Sequence, residues 1–256
     1  MRGNRSAASA TPDLSAMAAI CWIFAGIVYL LAETASASAF PNYSYGMNYI
    51  SDLGVPDIET LGDRSIDSPL HALMNLAFLA HGFLFATAAV LMARARSAAR
   101  GSSNATRSRP RLQVAIIACA LGHALGMVLI AVVNGGQHNN ELGLGWIHLL
   151  GAFLAFFGGH LTAICFGISL LKDRSSHLMR GRILGVISIV CGLIGILGIV
   201  MLQVDVRAVP GTLLPDGAWE RIGMYAIIVW ELTFGIVLLA RGRLTPLSES
   251  PISALH

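Results

Sequence analysis

Six apolar stretches, each long enough to cross a bilayer, occupy most of this 256-residue chain. They run from Leu14 to Ala35, Leu70 to Ala93, Leu112 to Val133, Trp146 to Leu171, Ile183 to Gln203 and Ile222 to Ala240. A spanning helix needs roughly 20 mostly apolar residues, because in hydrocarbon the backbone must satisfy its own hydrogen bonds. Only 12% of the residues are charged and the mean hydropathy is +0.68, whereas soluble domains carry about 25% charged residues. The sequence therefore predicts an all-α polytopic membrane protein, a six-transmembrane-helix bundle whose first partner is the lipid bilayer.

Basic residues set the expected orientation, since short positively charged loops stay cytoplasmic. Of the 17 Lys and Arg residues, all but Arg64, Arg207 and Arg221 fall in four places. These are Arg2 and Arg5; Arg94 to Arg111; Lys172 to Arg182; and Arg241 and Arg243, which are the two termini and every second loop. Both termini are expected to be cytoplasmic, with the chain in the plasma membrane. The net charge of +3 then describes loops facing anionic headgroups rather than a nucleic-acid-binding surface. Ala35, Ala37 and Ala39 would suit a signal peptidase, but the preceding run is longer than a signal core, and we read it as a retained span. Cys21, Cys119, Cys165 and Cys191 all lie within spans, where they serve as small packing residues.

The expected organisation is a disordered segment 1–13, a membrane domain 14–243 and a disordered tail 244–256. Between the first two spans lies the one long polar stretch, an extracytoplasmic loop 36–69 that mixes tyrosines, carboxylates and turn residues. Pro41, Gly46, Gly54, Pro56, Gly62 and Pro69 punctuate it, Ser51 or Asp52 could cap a short helical turn, and its aromatic content predicts an ordered loop. Glu33, just before it, is read as a solvated helix end. Ser68 and Pro69 are placed as N-cap and first residue of the second helix. His71 and Asn75 then share a face. The Arg-containing linker after the second span reads as flexible. Gly151, Ala155 and Gly159 in the fourth span, and Gly185, Ser188, Gly192 and Gly195 in the fifth, form small-residue stripes that permit close helix approach.

The run Asn48-Tyr-Ile-Ser-Asp-Leu-Gly54, followed by Ser68-Pro-Leu-His-Ala-Leu-Met-Asn75 at the head of the second span, resembles the prokaryotic membrane proteins grouped as domain of unknown function 998. More distantly, the Ile50-Ser-Asp-x-Gly54 core is similar to an extracytoplasmic motif of the six-span Frag/DRAM/Sfk family. The first resemblance implies a fold and a locale without a reaction, and the second implies a link to membrane lipids.

Two polar constellations are candidate sites. The outer one comprises Ser51, Asp52, Asp63, His71, Asn75, Asn134, His138 and His148. Histidines with carboxylates can hold zinc and activate water, which would make the chain a metal-dependent lipid-modifying hydrolase. The plainer reading is that these residues anchor the loop on the helix ends, and no HExxH-type spacing is present. The inner constellation comprises His81, His123, His160 and Glu231, each about halfway along its own span. Ionisable groups at that depth are costly and point to function: proton carriage, cation binding, recognition of a polar ligand, or bis-histidine haem ligation. The alternative is an interhelical hydrogen-bond network that fixes packing. No motif names a cofactor. The function expected is an integral membrane protein binding a lipid, a cation or another small ligand in a polar bundle interior, with the hydrolase and an accessory subunit as the competing readings.

Overall fold

The computed structural model describes residues 13–101, 110–173, 179–207 and 213–242. Residues 1–12 and 244–256 of the end segments expected to be disordered, and residues 102–109 of the linker expected to be flexible, lie outside the described residues, whereas Asp13 caps the first helix and the second continues into the linker as far as Gly101. Helices α1 (Leu14–Ala39), α2 (His71–Gly101), α3 (Pro110–Val132), α5 (Gly145–Lys172), α6 (Met179–Arg207) and α7 (Asp216–Gly242) coincide with the six apolar runs, and a five-residue α4 (Gln137–Glu141) lies between α3 and α5. All six long helices contain segments apolar enough to cross a membrane.

Each long helix packs on its neighbour in sequence, and α7 returns to α1, so the six form a closed ring. The small-residue stripes account for the tightest contacts. Gly151 lies against the Gly126 carbonyl of α3, where an added Cβ would sit 3.0 Å from the oxygen. Gly185 and Gly192 of α6 face α5 in the same way. Ser188, on the same helix, instead accepts a hydrogen bond from the Trp230 indole at 2.9 Å, tying α6 to α7.

The loop between α1 and α2 folds over one mouth of the ring. Helix α1 runs past the expected boundary to Ala39, Ser51–Gly54 form a 3-10 turn, and a two-stranded antiparallel hairpin follows, β1 (Glu59–Leu61) with β2 (Arg64–Ile66). The hairpin was not expected in an all-α chain. Its two-residue turn places Gly62 at φ 62°, the left-handed backbone that glycine adopts without strain. Helix α2 begins at His71, two residues later than expected. Ser68 does not cap it with its side chain, because its hydroxyl donates to the Leu53 carbonyl at 2.7 Å.

Candidate functional site

Three of the four inner candidates meet in the middle of the ring. His123 Nδ1 lies 2.6 Å from the Ala155 carbonyl oxygen, His123 Nε2 lies 3.2 Å from His81 Nδ1, and His81 Nε2 lies 3.0 Å from Glu231 Oε1. All three side chains are 0% exposed. Their contacts fix where the protons are. A carbonyl can only accept, so His123 carries its proton on Nδ1, and a neutral His123 offers Nε2 as an acceptor. His81 Nδ1 must then donate. In neutral His81 that leaves Nε2 bare, so Glu231 must carry a proton and donate it. Moving that single proton across the 3.0 Å contact gives the other consistent form, an imidazolium at His81 beside a carboxylate at Glu231. Both forms are net neutral, which is what a low-dielectric interior favours. Removing the shared proton would set the lone pairs of Nε2 and Oε1 against each other.

Close packing holds this chain in place. Gly26 brings the α1 backbone up to the Glu231 carboxyl, where an added Cβ would lie 2.8 Å from Oε1. The Tyr29 ring centroid is 5.2 Å from that of His81, edge to face, and Phe85 lies 4.4 Å from the His123 ring. Glu231 Oε2 is buried without a hydrogen-bond partner among the described protein groups.

His160 does not join the chain. Ala155, Gly158 and Gly159 form the face of α5 that meets His123, and position 160 lies about 100° beyond Gly159 and about 200° beyond Gly158 around the helix. His160 accordingly turns to α6, where its ring fills the space a side chain at Gly195 would need and stacks on Phe156 at 17°. Direct contact between His81 and His123 leaves no gap for a haem iron between them.

The outer candidates separate into different tasks. Asp52 accepts from the Tyr49 amide at 3.0 Å and pairs with Arg64 Nε at 3.0 Å. Burial holds its carboxyl above the ordinary aspartate range, although Arg64 pulls the other way. Asn75 donates to the Gly54 carbonyl at 2.8 Å, and His71 Nδ1 lies 3.0 Å from the Ser68 carbonyl. Asn134 accepts from the Gly136 amide, His148 Nδ1 donates to the Val133 carbonyl at 2.9 Å, and Asp63 and His138 are exposed. These are anchors, and among the described residues no group of three His, Cys, Asp or Glu side chains is placed to hold a metal ion.

The strongest outer arrangement was missed from the sequence. Glu33, read there as a solvated helix end, is 1% exposed, because α1 continues beyond it and the loop folds back over it. Its Oε1 accepts from the Tyr225 hydroxyl at 3.0 Å and lies 3.2 Å from Arg221 Nε. The Arg221 guanidinium also donates to the carbonyls of Tyr45 (2.7 Å), Asn48 (2.8 Å) and Gly217 (3.0 Å), and to the Tyr43 hydroxyl. Glu220 accepts from the Ile50 amide, and Asp216 from the Tyr49 hydroxyl at 2.9 Å. Burial raises the Tyr43 and Tyr49 hydroxyls above their ordinary range. On the opposite side of the mouth, Glu59 caps α4 by accepting from the amides of Gln137 (2.6 Å) and His138 (3.2 Å). The sequence signal was the pairing of adjacent opposite charges, Glu220 and Arg221, at the head of a spanning helix.

Beneath this cap lies a cavity lined on its polar side by Tyr29, Ser51, His148 and Glu220, and below by Phe78 and Ala155. About 30 Å³ of it can hold the centres of water-sized spheres, enough for roughly two waters at about 10–15 Å³ each.

The family described as Protein of unknown function (DUF998) matches residues 23–237, which takes in the cap, four of the long helices whole and the greater part of α1 and α7. The chain belongs to the DUF998 family. No curated protein and no solved structure matches it. For this DUF998 member, membership secures a multi-pass membrane-type helical protein, and the chemistry has to be argued from its own residues.

Proposed function

We propose that this protein binds a proton in its membrane-embedded interior, at the contact between Glu231 and His81, with His123 and the Ala155 carbonyl fixing the orientation of the pair. One observation carries this reading: the order of contacts from Ala155 to Glu231 admits one shared proton, and every member is fully buried. A buried ionisable chain that is whole only when that proton is present responds to proton activity by its own chemistry. The small cavity favours a proton or another small cation over a lipid. The outer residues then act as a cap that keeps lipid out of the mouth of the ring. The same reading has both termini in the cytoplasm and the cap outside, an orientation that the distribution of Arg and Lys supports, and takes the plasma membrane as the host bilayer.

Alkaline titration of the purified protein in detergent tests the assignment. Wild type is expected to release one more proton than Glu231→Gln, and superimposable titration curves would refute it. Orientation is tested by labelling single cysteines in a cysteine-free background. A cysteine at Ile58, which is 81% exposed, should react from outside intact cells and one at Asn104 should not.

A further inference from the structure

The environment of the inner chain differs sharply between its two ends. Towards the cap, the next layer contains the cavity. Its floor is made by Tyr29, whose ring touches that of His81, by Phe78, one turn before His81 on α2, and by Ala155, whose carbonyl orients His123. Its upper wall carries the Ser51 side chain, the His148 ring and the Glu220 carboxylate. His148 donates through Nδ1 to Val133, so in its neutral form Nε2 is left as an acceptor. Apolar side chains such as Ile50, Met127, Ile130 and Met224 make most of the wall, and Ser51, His148 and Glu220 supply the polar partners that water needs in a space with room for about two waters.

Towards the other end the ring is filled by aromatic side chains. Trp22, Phe166, Trp230 and Phe234 lie with ring centroids between 5.2 and 5.9 Å apart, and Phe85 packs on Trp230 at 5.8 Å. None of these five is more than 1% exposed. Four of them lie further from the cap than the inner residue of their own helix: Trp22 is a turn beyond Gly26, Phe85 a turn beyond His81, Phe234 a turn beyond Glu231, and Phe166 three turns beyond Ala155; Trp230 adjoins Glu231 in sequence and turns its ring into the same cluster. Their only polar side-chain atoms are the two indole nitrogens, and that of Trp230 is committed to Ser188.

We infer that the cavity is a water-binding site that admits protons to the Glu231–His81–His123 chain from the cap side alone, with the aromatic layer as an insulating plug on the other side. This rests on the proton-binding reading above and adds to it a route and a direction. Water in the cavity reaches the cap through the polar groups of Glu220 and Ser51, and reaches the chain past Tyr29. The arrangement suits a sensor or one-sided proton store. A through-path would require a continuous polar line across the aromatic layer, and the five rings offer only two separate indole nitrogens, that of Trp230 bonded to Ser188 and that of Trp22 buried without a partner among the described groups.

The test uses the full-length protein in proteoliposomes sorted so that the cap faces outward. The infrared carboxyl band of Glu231, identified by its absence in Glu231→Gln, is followed after a pH jump applied on one side only. The band should respond to an external jump and stay unchanged after an internal one. Ala152→Leu, which fills the cavity from α5, should slow the external response by about an order of magnitude by displacing bridging water. Should that variant fail to fold, Ser51→Ala removes a polar lining group without filling the space, and it should slow the response in the same direction. A response to the internal jump as fast as to the external one would overturn one-sided access while leaving proton binding intact. An external response that neither cavity variant slows would overturn the route. No response from either side would overturn both readings.

Discussion

His123 Nδ1 sits 2.6 Å from the carbonyl oxygen of Ala155, and with His123 neutral that contact sets the direction of the His81–His123 hydrogen bond and leaves one proton shared between His81 and Glu231. Because the backbone carbonyl cannot donate, the chain is polarised from α5 through α3 to α2. Replacing Glu231 with Gln keeps a donor for His81 Nε2, so the chain remains complete and stability should change by less than about 1 kcal/mol. Glu231→Leu leaves a buried His81 nitrogen without a donor and should cost about 1–3 kcal/mol. Thermal unfolding of both variants in one detergent gives the comparison, and equal losses would contradict the assigned direction.

Gly26 is the point of closest approach between the α1 backbone and the Glu231 carboxyl. An added methyl would lie 2.8 Å from Oε1 and 3.2 Å from the Leu232 side chain. Gly26→Ala should therefore displace the carboxyl from His81 and destabilise the protein by about 1–3 kcal/mol, as overpacking commonly does. Combined with Glu231→Ala the penalty should shrink, because the clashing group is gone. A double-mutant cycle measures that coupling.

Arg221 joins α1, the cap and α7 through one guanidinium. Arg221→Ala strands a buried Glu33 and should cost about 3–5 kcal/mol, the usual result of removing one partner of a buried ion pair. Arg221→Lys keeps the charge but lacks the fork that reaches Tyr45, Asn48 and Glu33 together. Limited proteolysis should cut the loop between α1 and α2 faster in both variants, and fastest in Arg221→Ala.

The cap also carries a pH dependence whose sign follows from Asp52. Burial raises its carboxyl in the folded state, so the folded protein holds that proton more tightly than the unfolded chain does. Stability from this group is therefore greatest at low pH and declines as pH rises past the ordinary aspartate value of 3.8, levelling off above the folded-state value. Asp52→Asn removes the dependence. Unfolding midpoints across that window should slope downward less in the variant than in wild type.

The bundle was legible because long apolar runs admit few other structures, and His81, His123 and Glu231 stood out as ionisable groups deep within them. Their mutual contacts were not legible, since they depend on the order of helices around the ring. His160 illustrates the limit: its depth matches the others, but its helix face is turned to α6, and a single sequence fixes depth better than azimuth. The burial of Glu33 and Arg221 was not legible for a related reason. They lie at the ends of the first and last spans, where charge is expected in contact with water, and only the folded loop encloses them. The hairpin was hidden in six short-strand residues joined by Gly62 and Asp63, too brief to register as alternation.

Nitrogen NMR on histidine-labelled protein in bilayers reads the order of protons along the chain. The account predicts that His123 is protonated on Nδ1 and bare on Nε2. It also predicts that His81 carries a proton on Nδ1, and that the His81 Nε2 signal changes in Glu231→Leu while that of His160 does not. A His123 protonated on Nε2 with Nδ1 bare, or a His81 bare on Nδ1, would contradict it.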